Sequence, residues 1–178
     1  MAQPEPADNS VLAALFQHNA WANLKLLDYC EALPAEQLDA TAPGTYGAIR
    51  DTLLHIVGAE ASYVQRVNGK RPDAPMKRGQ FPGFAVLKQV AGWTSDELLQ
   101  LARSARADTR VQEPLTGGAT MGQYKLTSLI VQAINHSTEH RTQVSTILTG
   151  LGLEPPDMTG WQYMVDTGEY QEIATPES

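Results

Sequence analysis

The sequence predicts an all-α protein, a four-helix bundle with a long loop between its second and third helices. Four segments repeat apolar residues at intervals of three and four, the period of a helix that faces a core. Proline or glycine follows the first, second and fourth of these segments. Strands do not alternate with helices in the pattern, and no internal repeat or glycine-rich phosphate loop is found.

The first helix is predicted from about Ser10 to Leu33. Ser10 is a suitable N-cap because its hydroxyl can accept a hydrogen bond from the first helical turn. Asn19 falls on the apolar stripe of this helix, and Pro34 ends it. Residues 36–38 are expected to add one short helical turn.

The second helix is predicted from about Tyr46 to Asn68, because Asn68-Gly69 is a typical C-terminal stop. Its inward stripe consists of Ile49, Leu53, Ile56, Glu60, Tyr63 and Val67. The segment from Lys70 to Gly92 is rich in Pro, Gly and Arg and is expected to form the long loop. A loop of this length in a small domain is typically functional or mobile, so this one either shapes the rim of an active site or is a plain connection.

The third helix is predicted from the capping box Thr94-Ser-Asp-Glu97 to about Arg110. The segment from Glu113 to Gln123 contains Gly117, Gly118 and Gly122, which favours a loop or a short hairpin.

The fourth helix is predicted from about Leu126 to Leu151, ended by Gly152. Its stripe is spaced four, three, four, three throughout and consists of Leu126, Ile130, Ala133, Ser137, His140, Val144, Ile147 and Leu151. Trp161-Gln-Tyr-Met is expected to form a last helical turn that covers the bundle.

Length and composition favour one globular domain. The chain has 178 residues, of which 42% are hydrophobic and 19% charged. We expect a single bundle domain over residues 10–168, a disordered N-terminus over residues 1–9 and a C-terminal tail over residues 169–178. The net charge of -7 argues against a nucleic-acid binder, which needs a basic surface.

The start of the chain and its cysteine content bear on the compartment. The first ten residues lack the basic and apolar regions of a signal peptide, and no apolar stretch is long enough to span a bilayer. A cytoplasmic location is therefore expected. Cys30 is the only cysteine, which excludes an intrachain disulfide, and it is read as a small buried apolar residue.

The histidines carry the strongest chemical signal. His136 and His140 are four residues apart, so they stand on one helix face, and His140 is in a core position. His55 has apolar neighbours on the second helix. Three imidazoles from two facing helices can hold one metal ion and leave a coordination position open, as in catalytic sites. The simpler alternative is that each histidine only forms hydrogen bonds. Such a ligand set suits zinc, nickel, copper and iron alike.

Other polar and aromatic residues have two readings each. His18 either lines the pocket or is a partly exposed surface residue. Gln143 either orients a ligand or bonds the backbone. The candidates for pocket lining, for each of which core packing or a surface ion pair is the simpler role, are Trp21, Tyr124, Arg141 and Trp161.

Three stretches resemble the DinB/YfiT-like family of bacterial four-helix-bundle metalloproteins. They are His18-Asn-Ala-Trp21-Ala-Asn23, Ile49-Arg-Asp-Thr-Leu-Leu-His55-Ile and Asn135-His136-Ser-Thr-Glu-His140-Arg141-Thr-Gln143-Val. The resemblance extends from about residue 10 to residue 165 and is weakest in the middle loop. The family often has Gly after the His-Arg pair, where this chain has Thr142, a position outside the ligands.

The resemblance implies that His55, His136 and His140 bind a divalent metal, with zinc and nickel the usual ions. It also implies a homodimer formed through a helix face. Some relatives transfer or use low-molecular-weight thiols, so the expected function is a metal-dependent enzyme acting on a small molecule, a thiol S-transferase in particular. No catalytic residue is assigned.

Two alternatives stay open. One is a metal-dependent hydrolase with Glu60 or Glu139 as the base, in which His136-Ser-Thr-Glu139-His140 matches the H-x-x-E-H of inverted zinc peptidases by coincidence. Those enzymes take a third ligand from well downstream, and only a short Pro-rich tail follows here. The other is a non-catalytic, stress-associated bundle that binds metal.

Overall fold

A computed structural model describes residues 10–74, 76–77, 79–114 and 120–173. Within these ranges the chain forms six helices and one two-stranded sheet: α1 (Ser10–Glu31), α2 (Ala35–Leu38), α3 (Ile49–Asn68), α4 (Phe84–Ser104), β1 (Arg110–Pro114), β2 (Met121–Lys125), α5 (Leu126–Gly150) and α6 (Gly160–Asp166). The all-α prediction is confirmed. The expected disordered segment 1–9 and residues 174–178 of the expected tail lie outside the described residues.

The four long helices form the bundle. Helix α1 packs against α4 and α5, and α3 packs against the same two helices. Helices α1 and α3 therefore occupy opposite corners. Two groups of buried apolar side chains fill the interior, one including Leu53 and Val144 and the other including Phe16 and Val64. Because α3 and α5 are direct neighbours, the inward side chains of these two helices meet.

The inward stripe predicted for α3 is confirmed. Five of its six members are buried, and the sixth, Val67, is half-buried at the C-terminal end of the helix; the buried five are Ile49, Leu53, Ile56, Glu60 and Tyr63. The helix begins at Ile49, three residues later than predicted, so Tyr46 belongs to the preceding loop. It ends as predicted, because Gly69 takes the left-handed conformation with φ 75° and donates its N–H to the Gln65 carbonyl.

The predicted start of the third helix is wrong. Helix α4 begins at Phe84 and ends at Ser104, so Thr94 lies in its interior and opens no capping box. Its one hydroxyl hydrogen is shared between the carbonyl oxygen of Ala91, one turn back at 3.0 Å, and the carboxylate of Glu60 at 3.3 Å. The physical reason is tertiary burial, since the side chains of Leu87, Val90, Ala91, Thr94, Leu98 and Ala102 form one buried stripe. Helical burial outweighs both the local capping signal and the interior glycine, Gly92. The long loop is correspondingly shorter and ends at Gly83.

The segment after α4 is a β-hairpin that leads directly into α5. Strands β1 and β2 pair antiparallel, with Val111 opposite Tyr124. The hairpin alternative was therefore correct, although Gly117 and Gly118 lie outside the described residues. The predicted end of the third helix at Arg110 is wrong, because Arg110 begins β1.

The short helix predicted near Trp161 is confirmed as α6, which packs against α1. A hydrogen bond of 2.7 Å from Lys25 to Asp166 joins the two helices. None of the helices within the described ranges combines the length and the apolar character that crossing a membrane requires.

Candidate metal centre

Three histidines from two neighbouring helices come together on one side of the bundle. His55 lies on α3, and His136 and His140 lie one turn apart on α5. The ring centroid of His55 is 4.7 Å from that of His136 and 4.7 Å from that of His140, and the centroids of the two α5 rings are 4.4 Å apart. All three residues are half-buried, so the group is sheltered by the bundle yet reachable from solvent. The convergence expected from the sequence is present.

The donor atoms of the group are close enough to share one cation. One ring nitrogen from each histidine lies within 4.8 Å of the others. Nε2 of His136 is 2.9 Å from Nε2 of His55, a contact that is favourable only with a proton or a cation between two lone pairs. Two nitrogens bound to one zinc ion at about 2.0–2.1 Å lie roughly 3 Å apart, so the observed separation fits a shared metal ion.

His136 also has an unused polar atom. Its Nδ1 is buried and has no hydrogen-bond partner among the described residues. Because the two ring nitrogens of an imidazole face different directions, a cation held by Nε2 would leave this Nδ1 to a water molecule. The fit of the residues to a bound cation therefore rests on the donor distances and on the three imidazoles.

The electrostatics keep His136 in the form that binds metals. Burial, followed by charge repulsion from the nearby rings of His140 and then His55, lowers the pKa of His136 from 6.5 to about 4. An imidazole binds a metal only when it is neutral. At neutral pH, His136 therefore offers a lone pair without first losing a proton.

Two tyrosines form walls beside the histidines. The ring of Tyr46 stacks on His55 with centroids 4.0 Å apart and an interplanar angle of 10°. Tyr63 meets His136 edge-on at 5.9 Å and is buried. Tyr46 is half exposed, at 51%, and thus stands between the histidines and solvent. Sequence reasoning missed this role, because the path of a loop before a helix depends on tertiary contacts.

Gln143 connects the loop to the histidines. Its Oε1 is 3.0 Å from the backbone nitrogen of Tyr46 and 2.8 Å from Nδ1 of His140. The reading in which Gln143 bonds the backbone is confirmed, and the same oxygen also contacts His140.

Glu60 and Glu139 lie outside the histidine group. Glu139 is exposed on α5. Glu60 is 1% exposed, and its carboxylate accepts hydrogen bonds from four side chains: Asn19, Asn23, Thr94 and Ser137. Glu60 thus accepts hydrogen bonds in the core and links all four long helices. One of its donors, Ser137, is adjacent to His136 on α5.

The other candidate residues have structural roles. Nε2 of His18 is 3.0 Å from the carbonyl oxygen of Met158, so this nitrogen donates. The rings of Trp21 and Tyr163 are each 5.5 Å from His18, and together the three attach the C-terminal segment to α1. Trp161 is 77% exposed on α6.

Tyr124, Arg141 and Cys30 also have packing roles. Tyr124 packs against the bundle from β2, and Arg141 is 5% exposed and bonds Asn19 and Asn23. Burial raises the pKa of the Cys30 thiol to about 12, so this residue is an inert core side chain, as expected.

The fold and the three grouped histidines define the class of protein: it is a helical bundle with a candidate metal site. The profile of the DinB family matches residues 6–173, nearly the whole chain, and the chain belongs to that family. The resemblance drawn from the motifs is thereby confirmed. A search of curated proteins found no match to this chain.

Proposed function

We propose that His55, His136 and His140 bind one divalent cation, zinc or nickel, and that the protein is a metal-dependent enzyme acting on a small molecule. The observation that carries the proposal is the grouping of one ring nitrogen from each histidine within 4.8 Å, on two rigid helices. Three protein ligands leave a position for an exchangeable group, which distinguishes catalytic from structural metal sites.

The reaction class we favour is transfer to or from a low-molecular-weight thiol, following the resemblance to thiol-using relatives. A divalent cation in this site would lower the pKa of a bound thiol and stabilise the thiolate, which is the nucleophile. The half-exposed ring of Tyr46 beside His55 provides an apolar surface for a small substrate at the mouth of the site. The buried Tyr63 closes the inner side against His136.

The hydrolase alternative has less support. Glu60 is occupied by four donors in the core, and Glu139 is exposed, so neither carboxylate shares the histidine group. A hydrolase would need a base from elsewhere. The homodimer implied by the resemblance remains part of the proposal, and light scattering of the purified protein measures it directly.

The test begins with elemental analysis of the purified protein. We expect about one divalent ion per chain, and loss of that ion in His55→Ala, His136→Ala and His140→Ala. The metal-loaded protein is then incubated with a panel of cellular thiols and electrophiles, and thiol consumption is followed. Thiol transfer at the same rate with and without protein, or unchanged in His136→Ala, would remove the transferase assignment. Ester or amide hydrolysis without added thiol would favour the hydrolase, and bound metal without turnover would favour a non-catalytic bundle.

A further inference from the structure

The side-chain amide of Gln143 has an orientation that its partners dictate. Its Oε1 is 3.0 Å from the backbone nitrogen of Tyr46, which can only donate. The oxygen of the amide, not its NH2 group, must therefore face this loop. The same oxygen is 2.8 Å from Nδ1 of His140.

This orientation decides the tautomer of His140. Because the amide oxygen can only accept, the Nδ1 of His140 must carry a hydrogen to make the 2.8 Å contact favourable. A neutral imidazole has one N–H, so Nε2 of His140 then has a free lone pair. Free histidine in water prefers the opposite tautomer, with its hydrogen on Nε2. The hydrogen bond to Gln143 therefore stabilises the Nδ1–H tautomer of His140 over the tautomer that free histidine prefers.

The second hydrogen bond to Gln143 acts on the loop before α3. With its N–H held by Gln143, Tyr46 places its ring 4.0 Å from that of His55 and 5.3 Å from that of His140. One amide oxygen therefore fixes both the tautomer of His140 on α5 and the position of the Tyr46 ring against His55 on α3.

We infer that Gln143 is a positioning residue. It keeps the Nε2 lone pair of His140 free to bind a cation, and it holds Tyr46 against the histidines. The inference rests on the proposed metal centre. Ligand histidines commonly donate their second nitrogen to such a partner, and its removal typically lowers metal affinity about 10–100-fold. Gln143 bonds neither His136 nor the buried Glu60 in any described hydrogen bond, so its direct effect should be on His140 and on the loop that carries Tyr46.

The experiment compares the wild type with Gln143→Met, which keeps the side-chain shape but lacks the acceptor, and Gln143→Glu, which keeps an acceptor oxygen. Gln100→Met is the matched control, because Gln100 is an exposed glutamine on α4. Three quantities are measured: the ring 15N chemical shifts of His140 in metal-free protein at neutral pH, the hydrogen exchange of the Tyr46 amide, and the affinities for Zn²⁺ and Ni²⁺ by competition with a chromophoric chelator.

We expect the Nδ1–H tautomer and a protected Tyr46 amide in the wild type. Gln143→Met should shift His140 toward the Nε2–H tautomer, expose the Tyr46 amide to exchange and lower metal affinity about 10–100-fold. Gln143→Glu should retain the wild-type tautomer and affinity, as should Gln100→Met.

Two results overturn the inference alone. One is an Nε2–H tautomer for His140 in the wild type, a measurement that does not depend on the folding of any variant. The other is full metal affinity in folded Gln143→Met. A wild type that binds neither ion instead removes the metal centre itself, and the inference falls with it.

Discussion

The carboxylate of Glu60 and the guanidinium of Arg141 are joined through the same two asparagine side chains. Nδ2 of Asn19 and of Asn23 donate to Glu60 at 2.7 and 2.8 Å, and their Oδ1 atoms accept from Arg141 at 2.7 Å each. Both charged groups are nearly inaccessible, at 1% and 5% exposed. Because Glu60 lies on α3, Arg141 on α5 and the asparagines on α1, this amide-bridged pair connects three helices through the core.

The bridged pair predicts a large loss of stability when one charge is removed. Arg141 stays charged at neutral pH, because burial lowers its pKa only to about 10 while Glu60 opposes that shift. Glu60→Gln or Arg141→Met would leave a buried charge without its counterpart, and such changes lower the free energy of unfolding by about 3–5 kcal/mol. Urea titration followed by circular dichroism measures the loss.

The control for this prediction is Asp28→Asn, which breaks an exposed ion pair with Lys88. Exposed pairs contribute little to stability, so the unfolding curve should hardly move. If Arg141→Met proved as stable as the wild type, the core pair would have no stabilising role.

The stripe periodicity predicted the histidine group but not the residues around it. A four-three spacing indicates which side of α3 and α5 faces inward. It placed Glu60 and His140 on the inward stripes and His55 and His136 beside them, and the structure buries Glu60 and brings the three histidines together. Arg141 lies one position off the stripe, and its two asparagine partners are on α1, over a hundred positions earlier. Local pattern cannot show such a contact, and a charged residue on a helix is usually read as exposed.

The errors around α4 have a related cause. Thr94 matches a capping box in sequence, yet its hydroxyl reaches Glu60 at 3.3 Å inside the bundle. Gly92 and the loop-like composition before it suggested an interruption, whereas packing against α1 and α3 holds the segment helical from Phe84. In both places tertiary burial decided between two locally acceptable structures.

The position of Gly92 inside α4 predicts that Gly92→Ala stabilises the protein. A Cβ built there meets no atom within 4 Å, and alanine is favoured over glycine in a helix interior by about 0.5–1 kcal/mol. Thermal unfolding should show a higher midpoint. Gly69→Ala is the matched contrast, since φ is +75° there and alanine is strained in that conformation, so its midpoint should fall. A lower midpoint for Gly92→Ala would argue against a continuous α4.

The low pKa of His136 predicts how the stability of the metal-free protein depends on pH. In the unfolded chain this histidine binds a proton near pH 6.5, and in the folded chain only near pH 4. Between these values the unfolded state holds more protons, so the free energy of unfolding falls as the pH drops from about 6.5 to about 4. Above pH 6.5 this group contributes no pH dependence.

The measurement is a series of denaturant titrations across that pH window in the presence of a chelator. His136→Asn, which cannot titrate there, should show a shallower fall than the wild type. Identical slopes for the two proteins would mean that His136 ionises as easily in the folded state as in the unfolded chain.

Metal-linked stability provides a test that does not depend on any substrate. A cation that binds only the folded state raises the free energy of unfolding by about 2.7 kcal/mol when its free concentration is 100 times the dissociation constant. We therefore expect the thermal midpoint to rise when Zn²⁺ or Ni²⁺ is added and to return to its former value with a chelator. His55→Ala and His140→Ala should abolish the rise.

His18→Gln is the informative control, because His18 bonds the Met158 carbonyl outside the histidine group. The thermal midpoint of this variant without metal should be lower than that of the wild type, yet the rise on adding metal should persist. An equal rise in His55→Ala and the wild type would place the bound ion elsewhere on the protein.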